Sequence, residues 1–329
     1  MSSTYRRTLA AFAAMCLIFG LAACGDDEDS GSGDAGATTT AAGDGKAIAS
    51  DPANASKGTI AVGSKNFTEQ FILGEIYAQT LEAQGFKVRR RLNLGSEQVA
   101  YKALKGGNID MYPEYTGTAL TSFFDVKTDD VPKEPDAAYD LAKENYAKNN
   151  ITALARTPFQ NTYVLATTAE TATKLGNPKT VTELMAKDPN LSVSGFPECR
   201  QREDCLLGLR SLYGYKGKFI SSDGKFSDLD DGQSDLTLAF GTDPQLALKD
   251  KYVSFEDDKQ LFPPYNITLG IRDSVVTKIG QEAVDTLEAV QEGMTEEAMA
   301  ELNRRVELDK QEPKAVAAAY LSEEGFVAN

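Results

Sequence analysis

From residue 58 onward the apolar positions switch between two periods. Thr59-Ile60-Ala61-Val62 is a short continuous apolar run with β-branched members, the pattern of a strand covered on both faces. Gly63-Ser64-Lys65-Asn66 reads as a loop. Asn66 with Glu69 three residues on is capping-box-like, and apolar side chains at Phe71, Ile72, Ile76 and Leu81 predict a helix that stops at Gly85. Residues 86–92 read as the next strand, 96–105 as a helix ended by Gly106-Gly107, and 109–112 as a third strand. This βαβαβ order predicts an α/β protein with a parallel sheet and helical crossovers.

The rest of the chain repeats the alternation less cleanly. Residues 125–136 are acidic and contain proline, which predicts a surface loop, and 136–149 predict a helix. Residues 152–166 are apolar and alternating but carry Pro158, as expected of a strand that crosses between two halves. A second α/β unit follows, with strands over 191–194 and 236–240 and a helix over 206–213. Phe262-Pro263-Pro264-Tyr265 breaks the pattern before a strand at 267–271. The end is helical, over 274–280, 281–291, 295–306 and 314–325.

Ahead of residue 58 the pattern changes in kind. Arg6-Arg7 precede an apolar stretch over 9–22, too short to span a bilayer well. Leu21-Ala22-Ala23-Cys24-Gly25 resembles a bacterial lipobox, in which Cys24 is diacylated and becomes the mature N-terminus. Two acyl chains anchor stably where one binds only marginally. An ordinary secretory cut after Ala23 is the alternative. Residues 1–23 are therefore expected as a signal peptide. Residues 24–57, rich in Gly, Asp, Ser, Ala and Thr, are expected as a flexible tether. No later stretch is apolar over ~18 residues, so no transmembrane helix is expected. The expected location is extracytoplasmic, lipid-anchored to the outer face of a bacterial cell membrane.

Composition narrows the chemistry. The 329 residues suffice for two domains and include no histidine and no tryptophan. Without histidine there is no Ser-His-Asp or Cys-His catalysis and no His-ligated metal. No paired-carboxylate motif points to an enzyme, and no cofactor or metal is expected. The formal charge is −15, or −17 once residues 1–23 with their two arginines are removed. Such a chain is not an electrostatic binder of nucleic acid. Cys16 leaves with the signal and Cys24 takes the lipid, which leaves Cys199 and Cys205 in an oxidising compartment. A local disulfide is expected there, with two free thiols as the alternative.

The densest stretch is Tyr112-Pro113-Glu114-Tyr115-Thr116-Gly117-Thr118. It reads as a rigid loop at a strand end, where α/β proteins place ligands, with Pro113 fixing one angle and Gly117 permitting unusual ones. An aromatic face beside a hydroxyl suits a ligand with an apolar cation at one end and an anion at the other. Together with Gly63-Ser64-Lys65-Asn66-Phe67-Thr68-Glu69-Gln70, Pro197-Glu198-Cys199 through Cys205-Leu206-Leu207-Gly208-Leu209, and Glu256-Asp257-Asp258-Lys259 with Phe262-Pro263-Pro264-Tyr265, it resembles the substrate-binding proteins of osmoprotectant ABC importers. These capture glycine betaine, carnitine, choline and similar quaternary amines. The likeness covers about residues 58–329.

The resemblance implies a two-lobe periplasmic-binding-protein fold, type II-like, that closes on its ligand, with inter-lobe crossings near 159–163 and 264–265. Lobe one would hold 58–160 and 266–329, and lobe two 161–265. By motif position, Tyr115, Tyr163, Tyr265 and Phe240 would form an aromatic box for the ammonium. Phe240 stands where tyrosine is common, which keeps the π face and loses a hydroxyl. Lys65, Thr118 and Arg202 would hold a carboxylate, with Arg200 as the alternative to Arg202. The Cys199–Cys205 span would stiffen that loop. Two cations around one anion would favour a zwitterionic betaine over choline. Partners would be a separate permease and its ATPase, and the protein is expected as a monomer. The same fold could instead hold an amino acid or other small organic solute, with Asp243 and Glu114 as the nearest acceptors for a primary amine.

Overall fold

The computed structural model describes residues 46–328. The expected signal peptide, Cys24 and the start of the tether lie outside the described residues. Residues 46–57, expected as tether, lie on the folded body instead. Ile48 N–H donates to the Phe326 carbonyl at 2.8 Å, and the buried Asn54 side chain donates to the Gln84 carbonyl at 2.8 Å from within a 3-10 turn, Pro52–Lys57.

The elements run β1 (Thr59–Gly63), α1 (Thr68–Ala83), β2 (Lys87–Arg91), α2 (Glu97–Lys105), β3 (Met111–Tyr115), α3 (Thr116–Phe123), α4 (Pro135–Ala147), β4 (Ile151–Ala153) and β5 (Tyr163–Thr168). Then come α5 (Ala169–Lys174), α6 (Val181–Lys187), β6 (Val193–Gly195), α7 (Leu206–Leu212), β7 (Phe219–Ser221), α8 (Phe226–Asp230), β8 (Leu236–Phe240) and β9 (Tyr252–Phe255). The chain closes with β10 (Ile267–Arg272), α9 (Asp273–Ile279), α10 (Gln281–Glu292), α11 (Glu296–Glu307) and α12 (Pro313–Glu323). The short elements α5, α6, α8, β7 and β9 have no clear periodicity of their own and escape the sequence pattern.

These strands form two five-stranded mixed sheets of the same design, ordered β2-β1-β3-β10-β4 and β7-β6-β8-β5-β9. In each, the first three strands are parallel and the fourth runs antiparallel to them. The antiparallel strand is in each case the one that has just crossed from the other half. We call the half built on the first sheet the first lobe. The crossings, between β4 and β5 and between β9 and β10, bond to each other as a narrow ribbon. Thr157 N–H donates to the Ile267 carbonyl at 2.8 Å, Asn161 N–H to the Tyr265 carbonyl at 3.1 Å, and Gln160 bridges Asn266.

α1 is the central helix of the first lobe. Ile72, Leu73, Ile76, Tyr77 and Leu81 are all fully buried, because the sheet lies on one side and α10, α11 and α12 on the other. It ends as the pattern predicts. Gly85 takes φ +93°, its N–H donates to Glu82 O at 2.9 Å and Phe86 N–H to Leu81 O at 3.0 Å, a Schellman cap. Its start differs from expectation. No side chain caps it, and Glu69 turns inward, where it is buried and accepts from Tyr115 OH and Thr242 Oγ1.

The segment 112–118 is also not a loop. Tyr112 to Tyr115 complete β3, and Thr116 opens α3 directly. Pro113 is tolerated in this inner strand because β1 pairs with β3 only at Met111. The Pro113 carbonyl instead accepts from Gln70 Nε2 at 3.0 Å. Gly117 is required for space and not for unusual angles. A Cβ there would lie 2.8 Å from Pro264 O and 2.9 Å from the Tyr265 ring, so the second crossing can rest on the start of α3 only over a glycine.

Candidate functional site

The equivalence of the sheets brings aromatic rings to the cleft in matched positions. The chain leaving β1 carries Phe67 and that leaving β6 carries Phe196. Tyr115 ends β3 and Phe240 ends β8. Tyr265 and Tyr163 enter on the crossings, just before or at the start of the antiparallel strands. All these rings line one cleft. Neighbouring ring centroids are 5.3 Å apart for Tyr163–Phe240 and Phe67–Phe240, 5.6 Å for Tyr163–Tyr265, 5.8 Å for Phe196–Phe240 and 6.0 Å for Phe67–Tyr115. Burial pushes the Tyr163 hydroxyl up to about 12, so it is neutral near pH 7.

Behind the first-lobe rings lie two carboxylates. Glu114 is fully buried and accepts from Lys65 Nζ, from Tyr112 OH at 3.0 Å and from Tyr115 N–H at 2.8 Å. Lys65 is itself buried, and its ammonium sits 4.4 Å from the centre of the Tyr115 ring. Gln70 fixes it by accepting from Lys65 N–H at 3.1 Å. Tyr112 is fully buried behind the cleft and packs at the strand end. Glu69 accepts from Tyr115 OH at 2.8 Å, Asn161 Nδ2 at 2.9 Å, Thr242 Oγ1 at 2.5 Å and Asn303 Nδ2 at 3.2 Å. Burial holds its carboxyl above the ordinary 4.5 even though all four partners donate to it.

The second-lobe wall rests on Asp204. It is fully buried and accepts from Arg202 Nε at 2.8 Å and Nη2 at 2.6 Å, from Tyr265 OH at 2.5 Å, and from Thr121 Oγ1 of α3 at 3.0 Å. Burial pushes this carboxyl up, but the Arg202 guanidinium and the hydroxyl donors outweigh it and hold it below the ordinary 3.8. Arg202 and Asp204 lie inside the ring closed by the Cys199–Cys205 disulfide, so the cysteines are bonded and not free thiols. Phe240 lacks a hydroxyl and is held through its backbone. Its N–H donates to Asp243 Oδ2 at 2.9 Å, and Asp243 in turn takes Lys225 Nζ at 2.5 Å.

The structure therefore brings Tyr115, Tyr163, Phe240, Tyr265, Lys65, Thr118 and Arg202 to one cleft. Thr118 Oγ1 meets Arg202 Nη2 across it at 3.4 Å. Arg200 is exposed and bonds Ser221 and the Phe219 carbonyl, so Arg202 is the arginine of the cleft. Sequence reasoning missed Phe67 and Phe196, although each follows a predicted strand. It also missed Glu97 and Glu198, which line the same cleft, and read Glu69 as a cap. Among the described residues no His, Cys, Asp and Glu group is arranged to hold a metal ion, and no helix is long and apolar enough to cross a membrane.

Residues 58–323 match the family described as the substrate binding domain of the ABC-type glycine betaine transport system. A glycine-betaine-binding protein of Pseudomonas aeruginosa is 32% identical over 281 residues, covering 80% of this chain and 88% of that protein. An ergothioneine transport permease/ergothioneine binding protein of Helicobacter pylori is 30% identical over 272 residues, 81% of this chain; the chain spans 48% of its length. Among solved structures, apo YehZ of Escherichia coli aligns with a TM-score of 0.60 at 26% identity, covering 81% of this chain and 99% of that one. A glycine betaine/carnitine/choline ABC transporter structure aligns with a TM-score of 0.65 over 80% of this chain and 98% of that one; at 23% identity it speaks for the fold.

Proposed function

This chain belongs to the substrate-binding domains of ABC-type glycine betaine transport systems, and we propose that it captures a small quaternary ammonium solute, glycine betaine or a relative, for delivery to an ABC permease. The family binds solutes for transporters and does not catalyse. The observation that carries the reading is the ring cluster, contributed by matched positions of both lobes. A quaternary ammonium has no N–H to hydrogen-bond, so it must be held by desolvation of its methyls and by cation–π attraction. Each ring is worth roughly 0.5–2 kcal/mol, so several are needed. Tyr115, Tyr163, Phe240 and Tyr265 are the box, joined by Phe67 and Phe196. Lys65 backs the Tyr115 ring, and Thr118 with Arg202 stands at the ligand's polar end. The box closes only when the lobes meet, which is the event a permease can read.

The amino-acid alternative is weakened. Its acceptors, Glu114 and Asp243, are already bonded to Lys65 and Lys225. The protein in this reading is a monomeric, extracytoplasmic lipoprotein, anchored through Cys24, with permease and ATPase on separate chains. The test is isothermal titration of quaternary amines against the parent and a Tyr115→Ala/Tyr265→Ala variant. Loss of binding in a variant that keeps its circular dichroism is expected. Unchanged affinity would overturn the assignment.

A further inference from the structure

We propose that the basic edge of the first lobe, built on β2, is a docking surface for anionic lipid headgroups. It is a second membrane contact, beside the lipid on Cys24, and the choice of a lipid surface as its occupant rests on the lipoprotein reading above.

Charge is spread unevenly along the chain. Between residues 83 and 109 six bases stand against one acid, Glu97, in a protein of formal charge −15. The fold then sorts these bases. β2 is an edge strand, and its side chains alternate between the two faces of the sheet. Arg90 points at α1, where it donates to Glu75 at 2.9 Å and to Glu82 at 2.6 Å. Lys87, Arg89 and Arg91 lie on the opposite face, exposed, with no side-chain hydrogen bond or ion pair among the described residues. Lys57 and Lys278 extend the patch around the start of the strand. Lys278 Nζ donates to the carbonyl of Thr59, which pairs with Lys87 in the ladder, at 3.2 Å, and Lys57 Nζ donates to the Ile279 carbonyl at 3.1 Å. Both ammoniums bond carbonyls and neither forms an ion pair. The nearby acids are occupied, Asp110 by Arg272 and Asp51 by the Ala53 N–H at 2.9 Å.

At ~0.1 M salt the screening length is about 10 Å, so a surface facing this patch meets its cations before the acidic remainder of the protein. The occupant follows from where the chain enters. Residues 46–57, through which the segment carrying Cys24 joins the folded body, pass the start of β2. Asp51 N–H donates to the Gln84 carbonyl at 3.2 Å, three residues before Lys87. A basic patch beside a lipid attachment site is positioned to meet anionic headgroups. Tyr115 and Phe240 sit at the ends of β3 and β8, while Lys57, Lys87 and Lys278 gather at the starts of β1 and β2, so lipid on this face leaves the cleft open. Basic residues on an edge strand also deter pairing with a second sheet, a role indifferent to lipid, and the test separates the two.

The full chain is floated with vesicles of phosphatidylcholine, with and without phosphatidylglycerol, beside a Lys87→Gln/Arg89→Gln/Arg91→Gln variant whose melting temperature is compared with the parent's. A lipid anchor binds both vesicles alike, so its contribution cancels. At ~0.1 M salt the parent is expected to bind the anionic vesicles about tenfold more and to lose that excess at ~0.5 M, while the variant binds both compositions equally. If the anchor alone floats the whole sample, amine labelling of Lys278 reads the contact. It should run about threefold slower on anionic vesicles for the parent and at one rate for the variant. Glycine betaine affinity should be the same in both proteins. A parent without preference for anionic vesicles overturns the proposal. So does a variant that keeps the preference, and one that keeps it while self-associating marks β2 as a guarded edge only. Failure of the parent to float on phosphatidylcholine at either salt overturns the lipid anchor instead, and its binding to anionic vesicles still decides the patch.

Discussion

Glu69 and Asp204 are buried carboxylates on opposite lobes, each accepting a hydroxyl from a cleft tyrosine and each bonded across to the other lobe. Glu69 takes Tyr115 and reaches Thr242; Asp204 takes Tyr265 and reaches Thr121. Their electrostatics are opposite. Asp204 has a bidentate arginine and is held ionised below its ordinary value, while Glu69 has only neutral donors and is pushed above its own. One lobe is thus stapled by an ion pair and the other by a hydrogen-bond hub. Donor count does not separate them, since each accepts four. A permanent cation does.

Replacing each acid by its amide tests that contrast most severely. Asp204→Asn leaves Arg202 buried with Glu97 at 3.9 Å as its remaining ion-pair partner, and should cost about 3–5 kcal/mol in chemical denaturation at neutral pH. Glu69→Gln removes no ion pair, and the Asn303 Oδ1, buried without a partner, can accept the new N–H. Its cost should stay under about 1 kcal/mol. Equal losses would mean that the two hubs are equivalent.

The hydroxyls give a smaller effect in the same direction. Tyr265→Phe removes a 2.5 Å bond to a carboxylate that stays ionised, and should cost about 2–3 kcal/mol. Tyr115→Phe removes a 2.8 Å bond to a carboxylate of raised pKa and should cost about 1 kcal/mol. Thermal melts of both variants rank them, and the reverse order would break the comparison.

Acid titration gives the smallest and most specific contrast. Because Glu69 is raised, the stability tied to it is full below 4.5 and is lost as pH rises through its folded value. Because Asp204 is lowered, its stability is present above 3.8 and is lost as pH falls through its folded value. Melting temperatures between about pH 3 and pH 8 should therefore show Glu69→Gln gaining on the parent as pH rises above 4.5. Asp204→Asn should converge with the parent as pH falls below 3.8. Parallel curves for either variant would show that its carboxyl does not titrate as the hubs require.

The strands and helices long enough to show a period were legible in the sequence. β1, α1, β8 and the four C-terminal helices lie where the apolar spacing puts them, because each buries a continuous face. The cleft tyrosines, Phe240 and Arg202 were reachable by motif, since each sits in a short segment of unusual composition. Burial and strand order decided the rest. Phe67 and Phe196 became ring partners in the cleft only because β1 and β6 hold the same place in two sheets, an equivalence that no residue repeat carries. Glu69 sits at a capping position by spacing and is buried between the lobes by packing. Lys65 and Arg202 read as two free cations in one dimension. Folding set Glu114 and Asp204 against them, because a charge taken out of water must meet its opposite.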